Sequence, residues 1–246
     1  MEFKKVTREW DTLKKDAMER AKNAAPLVKE GKIVDAKDTV ALLEAVIKPY
    51  DKVNIEGNNQ KQADFLAKCL CQVDPAKIHD LHMVQSVLTL PEHLDVFEKG
   101  IAKKLDMSFS GPQAGRIAQF LQEGKLELGA IHTYLELYGR YFVDLTPRVA
   151  LVAATMADRE GNLFTGFSTE DTPAIVEATK FRQGIVIAQV NKIVDKLPRV
   201  DIPGDWVDYV IQSPKPFYIE PLFTRDPALI TDAQVLKLSL IHISEP

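Results

Sequence analysis

Glu56 and the residues that follow it are the most chemically suggestive group in this chain. The stretch 53–70, VNIEGNNQKQADFLAKCL, reads as a strand that stops on Glu56-Gly57, a tight loop at Asn58-Asn59 and a helix from about Gln60. Val53 and Ile55 share one strand face, and Ala63, Leu66, Ala67 and Leu70 recur at helical spacing. Asn58 or Asn59 suits the helix N-cap. A junction of this kind aims free backbone N–H groups past the carboxyl end of a sheet, where anionic and thioester ligands bind in open α/β folds. Glu56 can serve there as nucleophile, base or hydrogen-bond acceptor, or it closes the strand and pairs with a nearby donor. Asn58, Asn59 and Gln60 offer amide donors to a ligand, or they only cap the helix.

The same design recurs twice. LDMSFS at 105–110 reads as a strand, Gly111-Pro112 as the turn, and a helix runs from about Gln113 to Leu121 and is ended by Gly124. Gly111 to Arg116 resembles a phosphate cradle but lacks the Lys-Ser/Thr ending of a P-loop and the spacing of a dinucleotide fingerprint. Gly115 permits close helix–sheet packing, and Arg116 holds either an anion or a surface salt bridge. In the third junction, Gly161 to Phe167 leads into Ser168-Thr169-Glu170-Asp171-Thr172-Pro173. Thr172 is placed to cap a helix and Pro173 to occupy its first helical position. The acidic residues suit the helix dipole, and Gly166 beside Phe167 can supply a backbone N–H to a developing oxyanion.

Other chemistry finds little support. Cys69 and Cys71 lie two apart on a helical stretch, point in different directions and read as core-filling thiols. His79, His82, His93 and His132 form no ligand pattern, so no metal site is expected. No G-x-S-x-G elbow or Cys/His pair is present. Tyr134, Tyr138 and Tyr141, with Leu135, Leu137 and Phe142, read as a packing stripe.

The elements that must position these loops alternate. Helices are expected at about 4–24, 36–47, 60–71, 92–103, 113–123, 133–140 and 173–182. Strands are expected at about 52–56, 82–88, 105–110, 126–130, 148–155, 162–165 and 184–190, with one more near 206–211 in a Pro-rich stretch. A polar turn at 156–162 predicts a hairpin. This order predicts an α/β fold, a largely parallel open sheet with helices on both faces. The 246 residues are 46% hydrophobic and 27% charged, ordinary globular values that allow one large domain. With 31 basic and 35 acidic residues the net charge is −4 and no basic stripe appears, which argues against nucleic acid. No apolar run approaches a membrane span. The charged N-terminus lacks a signal core, so a cytoplasmic location is expected.

Longer stretches carry a family resemblance. EGNNQKQADFL at 56–66, HTYLELYGRYFVDLTPRVALVAA at 132–154, ADREGNL at 157–163, TGFSTEDTPAIVEATKFRQGIVIAQVN at 165–191, and LPRVDIPGDWVDYV with YIEPLFTRDP beyond resemble the malonate decarboxylase alpha subunit. The A-D-x-x-G-N turn is shared more loosely with class I CoA-transferases and the citrate lyase alpha subunit. The resemblance implies a CoA-transferase-like half: a helical segment at 1–48 packed on an α/β domain at 49–237. It implies a transferase that exchanges acetate for malonate on the thioester of an acyl carrier protein. The partners implied are that carrier, the other decarboxylase subunits, malonate and acetate. The phosphopantetheine-type group belongs to the carrier, and this chain itself is expected to hold no cofactor.

In such transferases the attacking Glu comes from a second half, so no catalytic residue is assigned here and the fragment alone is expected to be inactive. Gly57, Asn58, Asn59, Gln60, Gly111, Gln113, Gly166, Phe167 and Glu170 are expected to line the thioester or carboxylate pocket. LSLIHISEP at 238–246 resembles a translated sequencing adapter and is expected to be non-native. The competing readings are a non-catalytic half-domain that scaffolds a carrier complex, a citrate lyase alpha-type transferase, and a sugar-phosphate isomerase or deaminase.

Overall fold

The computed structural model describes residues 12–57, 61–166, 168–169 and 171–217. Its helices are α1 (Thr12–Ala24), α2 (Thr39–Val46), α3 (Asp64–Leu70), α4 (Glu92–Glu98), α5 (Ala114–Gln122), α6 (Tyr134–Val143) and α7 (Thr172–Phe181). Its strands are β1 (Val28–Glu30), β2 (Ile33–Val34), β3 (Lys52–Ile55), β4 (Leu81–Val87), β5 (Ala102–Phe109), β6 (Glu127–Ile131), β7 (Val149–Ala157), β8 (Leu163–Phe164), β9 (Ile185–Ile193) and β10 (Tyr209–Gln212).

One sheet joins the strands in the order β1-β2-β10-β9-β7-β3-β4-β5-β6, with β8 paired to β7. All pairings are parallel except β1 with β2 and β7 with β8. The period-2 alternation of side chains places the two cores. On β7, Val149, Leu151 and Ala153 pack with α2 to α5, while Ala150, Val152 and Ala154 pack with α6 and α7. β9 does the same with Ile185 and Ile187 on one face and Val186, Ala188 and Val190 on the other. Strands buried on both faces read as continuous apolar runs, as IVIAQV does.

At the opposite end of the sheet from the loops discussed below, Asp16 of α1 accepts from Arg20 Nε (2.7 Å), Lys48 Nζ (2.9 Å) and Arg148 Nε (2.8 Å). Burial raises its carboxyl, but these three cations outweigh that and hold it well below the usual carboxylate range. The network ties α1 to the residue before β7.

Several boundaries differ from the sequence reading. The helix expected at 92–103 ends at Glu98, and the strand expected from 105 starts at Ala102. Gly100, at φ 71°, turns the chain: its N–H bonds Phe97 O (3.1 Å) and the Ile101 N–H bonds Val96 O (2.9 Å), a Schellman ending. The helix after β3 starts at Asp64 with Ala63 at its cap, not at Gln60 with an Asn cap. Residues 61–63 are instead drawn back toward β3 by a Gly57–Gln62 bridge and an Ala63 N–H to Glu56 O bond of 2.9 Å. Two strands at 28–34 were not foreseen; through β2 they extend the sheet past β10. The hairpin at 156–162 forms as expected. Residues 238–246 lie outside the described residues.

Candidate functional site

The strand order reverses direction at β3. From there the chain builds outward through β4, β5 and β6, then returns to lay β7 on the other side of β3. In open α/β sheets the crevice outside the carboxyl ends at such a switch point is the usual ligand site. The segments that follow β3, β4, β5 and β8 converge there.

The first two Gly junctions are tied to each other. Gly57 bridges Gln62. Thr89, after β4, donates its hydroxyl to Gln62 Oε1 (2.8 Å), and Gln113 Nε2 donates to Thr89 O (3.3 Å). Gly111 has φ 53°, and a Cβ there would stand 2.9 Å from Leu88 O, so only glycine suits this turn. Beneath Gly57 lies His93, whose ring is fully buried. Among the described residues, both His93 nitrogens, both side-chain amide atoms of Gln85 and Nε2 of Gln62 have no hydrogen-bond partner. Burial pushes the His93 imidazole down to about 3, so it stays neutral.

The third junction approaches from β7 and β8. Gly166 has φ 92°, and its carbonyl accepts from Arg199 Nη2 (3.3 Å). Thr165 is fixed by Asp201, which accepts from its N–H (2.9 Å) and hydroxyl (2.8 Å). The residues opening α7 then turn inward. Asp171 accepts from the Ser86 hydroxyl and the Tyr138 phenol. The Thr172 hydroxyl donates to Glu56, which also takes the Lys61 ammonium. Glu56 Oε2 accepts the Ala153 N–H (2.8 Å). Burial pushes the Glu56 carboxyl up, with the Lys61 charge pulling the other way. Both oxygens are engaged and the residue is sealed from solvent, so Glu56 closes its strand as a paired carboxylate and is not an accessible nucleophile.

Of the residues expected to line a pocket, Gly57, Gly111, Gln113 and Gly166 stand in these converging segments. Asn58, Asn59, Gln60, Phe167 and Glu170 lie outside the described residues. Thr172 is not the cap of α7 but its first residue, which puts Pro173 second: Asp171 holds the cap position, its carboxylate is spent on Ser86 and Tyr138, and it makes no side-chain cap bond. Gly115 meets nothing within 4 Å where a Cβ would be, so close packing does not explain it. Arg116 is taken by Asp95 (2.6 Å) and Glu98 (2.9 Å). Tyr141 is core, Tyr138 ties to Asp171 and Tyr134 is exposed.

Two buried clusters escaped the sequence reading. One is Lys61 with Glu56 and Thr172. The other is Asp106, which accepts from or pairs with His82 (2.6 Å) and His132 (2.7 Å) far from the converging loops. Neither has a local spacing that signals it. Cys69 and Cys71 are buried, and burial pushes their thiols up to about 11 and about 12, as suits inert core residues. Among the described residues no group of three or more His, Cys, Asp or Glu is arranged to hold a metal ion. None of the described helices is long and apolar enough to cross a membrane.

An open, mostly parallel sheet with its loops gathered at this switch point defines an α/β protein of the class that binds ligands at the carboxyl ends of its strands, similar in fold to CoA-transferases. An acyl-CoA transferase from Escherichia coli O157:H7 superposes with a TM-score of 0.62 at 18% identity, over 78% of this chain and 48% of its own, a likeness of fold alone. The nearer comparisons define the family. Residues 9–244 match the family model described as malonate decarboxylase, alpha subunit, transporter, and the chain belongs to that family. A curated relative from Malonomonas rubra, acetyl-S-ACP:malonate ACP transferase, is 67% identical over 227 residues, which is 92% of this chain and 41% of the relative. The structure of a Pseudomonas malonate decarboxylase hetero-tetramer in complex with malonate contains a chain 58% identical, with a TM-score of 0.86 over 90% of this chain and 41% of that one. The chain thus spans about two fifths of the relatives it matches.

Proposed function

We propose that this chain is the first α/β unit of an acetyl-carrier:malonate transferase, the alpha subunit of a malonate decarboxylase acting in the cytoplasm. The observation that carries the reading is the 67% identity over 227 residues with a relative of that activity. In the reaction, malonate displaces acetate from the thioester of an acyl carrier protein. The acyl–sulfur bond to acetyl is broken and one to malonyl is formed, and acetate leaves with its carboxylate restored. The carrier brings the phosphopantetheine-type thiol, and other subunits decarboxylate the malonyl product.

Within this scheme Gly57, Gly111 and Gly166 serve by their backbones. A thioester carbonyl develops negative charge when attacked, and fixed N–H donors at the carboxyl end of the sheet stabilise it. Asn58, Asn59, Gln60, Gln113, Phe167 and Glu170 complete the pocket lining. A carboxylate nucleophile needs no separate base, which agrees with the lack of a Ser/His or Cys/His arrangement. Glu56 is sealed, and the resemblance to class I CoA-transferases assigns the attacking carboxylate to the remainder of the longer subunit.

The test uses the full-length subunit with acetyl-loaded carrier and carbon-13-labelled malonate, followed by intact-mass spectrometry of the carrier. Replacement of the acetyl by a labelled malonyl group is expected. Carrier that keeps its acetyl group, or loses it only to water, refutes the reading.

A further inference from the structure

Two adjacent residues at the start of α7 are gripped inside the molecule from four directions. Thr172 donates to Glu56 at the end of β3 and contacts the Lys61 ammonium, while Asp171 accepts from Ser86 on β4 and Tyr138 on α6. Glu56, Lys61 and Thr172 are 0% exposed and Asp171 is 1% exposed. These ties cross the switch point. Glu56 and Lys61 flank the segment that opens with Gly57, and Thr172 ends the segment that opens with Gly166.

A buried Glu–Lys pair is a poor way to gain stability. Withdrawing both charges from water costs about as much as their attraction returns, and apolar residues of similar volume do as well. What the pair supplies is direction. A carboxylate that takes an ammonium, a hydroxyl and the Ala153 N–H accepts few placements of its neighbours, and charge-assisted bonds hold that geometry firmly. An apolar contact would let the segments slide.

We propose that Lys61 is a positioning residue of the transferase: acting through Glu56 and Thr172, it locks the end of β3 at Gly57 and the start of α7 in one relative placement, so that the backbone donors of Gly57 and Gly166 meet the thioester together. This rests on the transferase reading of the site. Misplacing reacting groups by about an ångström can cost up to about a hundredfold in rate, so a lost lock should appear in turnover more than in folding.

The experiment compares full-length subunits, assembled with their partners, that carry Lys61→Met, the pair Glu56→Gln/Lys61→Met, Thr172→Val or Thr172→Ser. Lys61→Met alone strands a buried carboxylate, and its Tm should fall. The double variant removes both charges with little change in volume and should recover most of that Tm. It should nevertheless show faster hydrogen–deuterium exchange at 61–66 and 169–176, and a kcat lowered by about tenfold or more with a smaller change in the KM for malonate. Thr172→Val, which leaves the ion pair in place, should reproduce the loosening in milder form, and Thr172→Ser should restore it. A double variant, or Thr172→Val, with parental exchange protection and parental kcat overturns the proposal. If the parent subunit transfers no malonyl group, the transferase reading fails, while the hydrogen-exchange comparison still decides the lock.

Discussion

The α-carbon of Gly57 rests against the imidazole of His93. A Cβ built on Gly57 would overlap Cε1 of that ring, lie 2.9 Å from Nε2 and 3.1 Å from Val87 O. The first turn of α4 therefore dictates the residue type at the end of β3. Gly57→Ala must push α4 outward or bend the strand end, and overpacking of this kind costs about 1–3 kcal/mol. Urea unfolding of the variant should show that loss. His93→Ala removes the obstruction at its own cavity cost, so the two changes together should cost clearly less than their sum. Strict additivity would show that the two residues do not press on each other.

Gly166 is constrained twice. Its φ of 92° is open to glycine and strained for other residues, and a Cβ would overlap the Thr155 hydroxyl and lie 3.3 Å from Thr155 Cβ. Gly166→Ala should destabilise by more than the ~1 kcal/mol that a strained φ alone brings. It should also lower transfer of malonyl to carrier, because the segment before α7 must shift. A Gly166→Ala subunit with parental stability would mean that this turn relaxes freely.

Much of this was legible in the residues themselves. β7 and β9 announce themselves as unbroken apolar runs because both faces are buried, and α5 announces its end with Gly124. What failed to show was whatever depends on distant partners. Lys61 sits in NNQKQ, where no local spacing points to a buried ion pair, and its partner Thr172 lies 111 residues on. Asp106 gathers His82 and His132 from two neighbouring strand regions, 24 and 26 residues away, a spacing no local motif encodes. β1 and β2 have three and two residues, too few to express a period, and gain their identity from β10. The misread end of α4 is different. FEKGIAKKL has helix-forming residues on both sides of Gly100, and only the left-handed turn at that glycine separates helix from strand.

His93 also predicts how stability responds to pH. In the unfolded chain its imidazole titrates near the ordinary 6.5, while in the folded protein burial lowers it to about 3. Between those values the unfolded chain binds a proton that the folded protein refuses. Stability is therefore complete above pH 6.5 and declines as pH falls, by up to about 1.4 kcal/mol per unit, levelling near pH 3. At pH 5 the loss from this residue is about 2 kcal/mol. His82, lowered by burial against the pull of Asp106, adds to the slope in the same direction. His93→Leu removes the titrating group. Its urea-unfolding free energy, measured from pH 8 to pH 4, should fall less steeply than the parent's below 6.5, with the His82 share remaining. An unchanged slope in the variant would mean that the folded protein protonates His93 freely, and that the ring is not sealed beneath Gly57.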